Sequence, residues 1–264
     1  MDIAAVLATN FAIILACVLL LWVICLGLKD VTPMDTFWAI GLFLMSLFTY
    51  AQTEGAEPRR MALVFISGIW GLRLGGFLFA RWLSHGPDPR YVRMMEKAQA
   101  KGMSYPMATL TKVFLTQAPM LWIVSLPVQL GQFATAPAEL GPLAFIGIAL
   151  AAIGILFESI GDFQLARFRR DPANKGKVLD TGLWRYTRHP NYFGDACAWW
   201  GLYLIAAETM PGLFAIPGPI LLTWTLMKWS GAPTLERKLT RTRPDYEAYI
   251  RRTSGFFPRP PKAG

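Results

Sequence analysis

The 264 residues are 54% apolar and only 16% charged, with a mean hydropathy of +0.36. Soluble domains carry about a quarter charged residues, so these values and the long uncharged runs exclude an ordinary water-soluble fold and predict an all-α integral membrane protein. The net charge of +9 falls in patches that alternate with membrane-length apolar runs, which favours lipid headgroups or a phosphorylated small molecule over nucleic acid as a partner.

The first predicted span covers about residues 4–28, interrupted only by Thr9 and Asn10. Asp2 at its start and the lack of an A-x-A site argue against a signal peptide. Lys29-Asp30 and Thr32-Pro33 make a tight turn into a second span, about 34–53, which reaches Gln52 and Glu54. A polar knot at 54–60 precedes the third span, about 61–83, with Arg73 in its interior. A basic segment, SHGPDPRYVRMMEKAQAKG, leads to the fourth span, about 110–133, where Pro119 and Pro127 predict kinks. The fifth span, about 141–165, carries Glu158 and Asp162 near its end. The sixth runs from about 192 to 207, the seventh from about 211 to 229, and the polar tail reads as partly helical.

Seven spans put the loops after spans one, three and five on the same face as the tail, and these hold 23 of the 26 Lys and Arg residues. The positive-inside rule then sets the N-terminus outside and the C-terminus in the cytoplasm. The chain reads as one multi-pass membrane domain, 1–264. No CxxC relates Cys17, Cys25 and Cys197, and His85 and His189 form no HExxH, so no metal centre is expected. No Walker loop and no GxGxxG appear either, which excludes a Rossmann site for any nucleotide.

The most informative stretch is DFQLARFRRDPANKGKVLDTGLWRYTRHPNYFGD, Asp162 to Asp195, with seven Lys and Arg residues between Arg167 and Arg188. At 3.6 residues per turn Asp162 and Arg169 share a helix face, whereas Arg167 points elsewhere if the helix continues. Either an intrahelical ion pair or a shared cleft fits that spacing. Lys177 follows Asn174 and Gly176 in a loop whose backbone is able to approach an anion. His189-Pro190 ends the loop in extended chain, and a helix starting there offers free N–H groups to an anion beside Arg188 and His189. Asn191 and Asp195, four apart, face one way inside the membrane, suited to a ribose or an amide, or to helix-to-helix polar bonding.

GLWRYTRHPNYFGD, followed by Trp199, Trp200 and Gly201, resembles the signature of the steroid 5-alpha-reductase-like membrane proteins, particularly their bacterial branch. Arg188, His189, Asn191, Tyr192, Gly194 and Asp195 follow the pattern shared with sterol C14- and delta-7-reductases. The tail DYEAYIRRTSGFFP, with Tyr246, Tyr249 and Phe257-Pro258, is similar to their C-terminal segment. The likeness covers about residues 155–260. Its Arg-His-Pro-x-Tyr-x-Gly core is also that of isoprenylcysteine and phospholipid methyltransferases, which use S-adenosylmethionine.

The resemblance implies NADPH held by the C-terminal half, 141–264, with Asp162, Arg167, Arg169, Lys177, Tyr186, Arg188, His189, Asn191, Tyr192 and Asp195 as cofactor-binding residues. Glu158 stands where the steroid enzymes have Asn. It further implies reduction of a C=C bond conjugated to a ketone in a steroid-like lipid, with the N-terminal helices, 1–110, on the substrate side. Membrane lipids would surround the protein, in a bacterial inner membrane or, for a eukaryotic chain, the endoplasmic reticulum. Such a reaction needs an acid that polarises the enone oxygen. In the steroid enzymes a Glu and a Tyr do this. Glu54 and Tyr91 are the counterparts here, although Trp70 is nearer the family's Tyr position and the topology puts Tyr91 on the cytoplasmic face. Glu54 also reads as a solvated loop residue pairing Arg59 or Arg60. The acidic residue after Phe193-Gly194 favours a reductase over the alternative, a methyltransferase acting on a lipid or prenyl-cysteine.

Overall fold

The computed structural model describes residues 2–229 and 231–262. Its regular structure among these is helical: α1 (Ile3–Leu28), α2 (Pro33–Gln52), α3 (Glu57–His85), α4 (Pro89–Gln99), α5 (Tyr105–Val124), α6 (Leu126–Leu130), α7 (Pro142–Arg170), α8 (Pro190–Ala206), α9 (Met210–Trp229), α10 (Ala232–Thr242) and α11 (Tyr246–Arg252). Six of them, α1, α2, α3, α5, α7 and α9, are long and apolar enough to cross a membrane. The predicted sixth span is α8, which at 17 residues sits at the short limit for a crossing and is not one of the six.

Several departures from the predicted boundaries have local causes. The fourth span begins earlier, at Tyr105, winds through a π-helical turn at Leu110–Phe114 and ends at Val124. Pro127 then starts a separate short helix, as a residue without an N–H does readily at a first turn. α9 is broken near Pro217 and closes in a second π-helical turn, Thr225–Trp229. The basic segment contains α4, started by Asp88, whose carboxylate accepts from the N–H of Arg90, and by Pro89. α1 is apolar on every side and buries only Val6, Asn10, Ile14, Val18 and Cys25, as a lipid-facing helix does.

The chain forms two compact units that interleave along the sequence. The first comprises residues 1–145 and 202–218, the second 146–201 and 219–264. In the first unit a buried amide network ties α1, α2, α5 and α6. Asn10 Nδ2 donates to Thr49 Oγ1 (2.8 Å) and Gln129 Oε1 (3.0 Å), Gln52 Nε2 donates to Asn10 Oδ1 (2.9 Å), and Gln129 Nε2 donates to Ser125 Oγ (2.8 Å). Where water is scarce, such groups must satisfy one another, which fixes how the helices meet.

The same unit holds a buried ion pair. Arg59 Nη2 lies 3.5 Å from Glu208 Oε2, with the side chains 1% and 7% exposed. Arg59 also donates to the Pro137 carbonyl. Glu208 accepts the N–H groups of Gly141 and Ala144, capping the start of α7. Burial alone would raise the Glu208 carboxyl, but those N–H groups and Arg59 hold it below the usual range.

In the second unit α7 and α8 meet at backbone distance. A Cβ on Gly154 would lie 2.5 Å from the Ala198 nitrogen and the Gly194 oxygen, and one on Gly194 2.5 Å from the Glu158 nitrogen. One on Gly201 would lie 2.5 Å from the Gly147 oxygen. Glycines spaced by seven, 147, 154 and 161 on α7 and 194 and 201 on α8, therefore line one seam, because only a residue lacking a side chain permits that approach.

Candidate functional site

The glycine seam decides where the buried acids go. Glu158 and Asp162, one turn apart on α7, are 2% and 5% exposed, and Asp195 on α8 is 7% exposed. Asn191 Nδ2 donates to Asp162 Oδ1 over 3.3 Å, while Asn191 Oδ1 accepts the N–H of Tyr192 at 3.1 Å. Asp162 and Asn191, both singled out in the sequence, thus meet directly across two helices. Carboxylate oxygens accept hydrogen bonds and the Asn191 amide donates them, so this wall suits hydroxyls and amides.

The loop leading into α8 is held by its own side chains. α7 continues through Arg170, so Asp162 is buried while Arg167 and Arg169 are exposed on the following turns. Asn174 Nδ2 caps the Phe168 carbonyl. Lys177 is exposed and its carbonyl accepts from Arg243. Gly182 takes a φ of 61°, which favours glycine, and the Leu183 N–H reaches Gln164 Oε1 at 3.0 Å. Trp184 Nε1 donates to the Gly161 carbonyl at 3.1 Å, and Tyr249 donates its hydroxyl to the Trp184 carbonyl. Tyr186 is exposed, with its carbonyl taken by the Arg259 N–H.

Arg188 and His189, read from the sequence as donors to an anion, converge on a protein carboxylate. Arg188 Nε and Nη2 meet Glu236 Oε1 and Oε2 at 2.8 and 3.3 Å, a two-bond fork. Its Nη1 reaches the Thr253 carbonyl at 2.7 Å and that of Ile250 at 3.3 Å. His189, 1% exposed, sets Nε2 2.8 Å from Glu236 Oε1 and stacks on Tyr192, with centroids 5.2 Å apart and planes 7° from parallel. An ionised carboxylate acceptor makes Nε2 the nitrogen that carries the proton. Burial would raise the Glu236 carboxyl, but the hydrogen bonds from His189 and Arg188 bring it down to about 2. The start of α8 is further tied to the tail through the Arg188 N–H on Ser254 (2.9 Å) and Thr187 Oγ1 on Phe256 (2.8 Å).

Glu236 escaped the sequence reading because it stands 47 positions from His189 in a charged, amphipathic tail. One signal was available. A buried Arg-His pair in apolar surroundings needs a carboxylate, and the tail supplies few.

The two residues expected to act on the substrate belong to the first unit and are not brought together. Glu54 is an exposed residue of the turn after α2, and the arginines offered to it pair elsewhere, Arg59 with Glu208 and Arg60 with Glu57. Tyr91 donates its hydroxyl to Asp35 Oδ1 at 2.6 Å, in a cluster where Arg90 and Arg81 hold Asp35 Oδ2. Burial, then the Asp35 charge, pushes the Tyr91 phenol well above its ordinary range. Asp35 opens α2 and Glu54 follows its end, so the length of that helix separates them by on the order of 27 Å. Near Glu54 the buried polar groups are instead Asn10, Thr49, Gln129 and Gln132. Among the described residues no group of three His, Cys, Asp or Glu side chains is placed to hold a metal ion.

A family model described as a protein of unknown function (DUF1295) matches residues 21–253. An uncharacterized protein of Schizosaccharomyces pombe is 24% identical over 270 aligned positions, covering 90% of this chain and 76% of that one. No solved structure matches.

Proposed function

The chain belongs to the DUF1295 family, and we propose that it is a membrane oxidoreductase that uses NADPH to reduce a C=C bond conjugated to a ketone in a steroid-like lipid. The observation that supports this reading best is the Asn191–Asp162 bond, which brings two of the sequence-named residues together on a buried polar seam. Asp162 and Asp195 offer acceptor oxygens of the kind that the hydroxyls and carboxamide of a dinucleotide require. Glu236, Arg188 and His189 hold the mouth of α8 in place, and Tyr192, stacked on His189, presents a rigid ring beside it.

NADPH, when bound, supplies the hydride. In this reading seven segments cross the membrane, α8 among them, with the N-terminus outside and the tail in the cytoplasm. A bacterial inner membrane fits that arrangement.

The test is NADPH oxidation by the purified, detergent-solubilised protein presented with 3-oxo-4-ene steroids, together with a thermal-shift titration of NADPH. A bound ligand raises the melting temperature by mass action. Absence of both effects overturns the proposal. The Arg188-His189-Pro190 core that methyltransferases share supports a second reading, and stabilisation by S-adenosylmethionine without stabilisation by NADPH would select it.

A further inference from the structure

A cavity of about 160 Å³ lies in the first unit, where the end of α1, α4 and the start of α5 converge on Lys29, Asp30, Tyr91, Met95, Glu96 and Tyr105. That is the share of liquid volume of roughly five water molecules, too little for a sterol or a dinucleotide. Asp30, 9% exposed, is the buried charge of its wall. Asp30 Oδ1 accepts the N–H and the hydroxyl of Thr32 at 2.9 and 2.6 Å, and Oδ2 accepts Trp82 Nε1 at 2.7 Å. All three donors are neutral, and among the described residues no ion pair reaches Asp30, because Arg81 and Arg90 are taken by Asp35 and Asp88. A carboxylate has about four acceptor positions, so one stays open and the charge has no counter-charge from the protein.

The turn that carries Asp30 is fixed. Lys29 closes α1 with a φ of 54°, in the left-handed region where glycine is the usual residue. Its N–H bonds Leu26 at 3.3 Å and that of Asp30 bonds Cys25 at 3.2 Å, so an exposed ammonium and a buried carboxylate stand on successive residues of a capped turn. Thr32 Oγ1 also accepts the Asp88 N–H at 2.8 Å, and Tyr91 donates to Asp35, which anchors α4 to the same turn. Above the turn Leu20, Val23, Ile24 and Leu28 are exposed, and their spacing makes one apolar face of α1 that runs down to Lys29.

We propose that this cavity takes the ammonium of a zwitterionic phospholipid, phosphatidylethanolamine, with the lipid phosphate on Lys29 and an acyl chain along the Leu20–Leu28 face. The inference goes beyond the reductase reading and does not depend on it. The headgroup carries a negative and a positive charge two methylenes apart, and Lys29 and Asp30 offer the opposite charges from neighbouring positions. Asp30 gives the ammonium an acceptor and a counter-charge, and Glu96 adds a second carboxylate at the exposed side. The rings of Tyr91 and Tyr105 attract a cation through their negative faces. A primary ammonium has three N–H donors for such a wall, whereas the trimethylated head of phosphatidylcholine has none and is larger. An anionic lipid without an ammonium would bring like charge to Asp30 and Glu96.

The test uses the full, delipidated chain in detergent, as wild type, Lys29→Gly, Glu96→Gln and Asp30→Asn. Native mass spectrometry measures the binding of phosphatidylethanolamine, phosphatidylcholine and phosphatidylglycerol of equal chain length, and of soluble O-phosphoethanolamine. The expected result is that the wild type holds phosphatidylethanolamine about tenfold more tightly than either other lipid. Lys29→Gly and Asp30→Asn should each remove most of that preference, and Glu96→Gln part of it. Glycine suits the left-handed turn, so Lys29→Gly keeps the fold while deleting the ammonium. Should Asp30→Asn lower the lipid-free unfolding midpoint, Lys29→Gly and Glu96→Gln decide the outcome. Equal affinity of the wild type for the three lipids overturns the proposal, and so does Lys29→Gly binding phosphatidylethanolamine as the wild type does. O-Phosphoethanolamine binding as tightly as the lipid overturns the acyl-chain contact on α1. None of these measurements involves NADPH, so their failure leaves the reductase reading untouched.

Discussion

Asn191 Nδ2 donates to Asp162 Oδ1 across 3.3 Å, joining the first turn of α8 to the buried face of α7. The bond forms where two helices touch backbone to backbone, so it positions both side chains without help from a loop.

If this pair orients a cofactor, Asp162→Leu and Asn191→Leu each lower NADPH affinity by about tenfold or more, as loss of a hydrogen bond to a charged group does. Because the residues act together, the double variant is expected to be little worse than either single one. Isothermal titration on the four proteins measures the coupling.

The Glu236 carboxyl sits at about 2 in the folded protein against 4.5 ordinarily. A carboxylate lowered by folding adds stability that is complete above about pH 4.5 and fades as pH falls towards 2. Asp88 and Glu208 are lowered in the same direction. The wild-type unfolding midpoint should therefore fall across that acidic window, and Glu236→Gln should start lower at neutral pH and fall less steeply. Thermal unfolding from pH 7 to pH 3 reads both slopes.

Gly194→Ala places a methyl group 2.5 Å from backbone atoms of Glu158 and Gly154, which no side-chain rotation relieves. The cost is expected to reach about 3 kcal/mol or more, seen as a lower unfolding midpoint in detergent. Gly76→Ala is the control, since a Cβ there meets nothing within 4 Å.

Breaking the Arg59–Glu208 pair strands a buried charge. Arg59→Met or Glu208→Gln alone should cost about 3–5 kcal/mol, and combining them should recover part of the loss. A double-mutant cycle on unfolding free energies checks the sign of the coupling.

Hydropathy alone made the long helices legible, because a 20-residue apolar run has few other uses. α8 was legible as a helix from His189-Pro190 and the apolar run after it, but its 17 residues leave it short of the six membrane-length helices. Pro119 lies inside the unbroken helical run Leu115–Val124, whereas a helix break falls just ahead of Pro127. The motif residues around 162–195 were readable because they lie within one supersecondary unit. Their partners were not: Glu236 and Glu208 meet arginines 48 and 149 positions away, and nothing in local spacing records such distances. Glu54 drew attention as an acid after the second span, yet the buried groups near it are amides and hydroxyls. An amide network has no charge to mark it in a sequence.

The seven-residue glycine spacing carries a demand on chain length. Inserting or deleting one residue between Gly154 and Gly161 would turn the rest of α7 by about 100° about its axis. Gly161 would swing off Pro190, against which it now packs, and Asp162 would be carried away from Asn191 in the same rotation. Substitutions on the outer face of that segment are free to accumulate, but its length is not free to drift, so a gap there should mark a homologue that has abandoned this site.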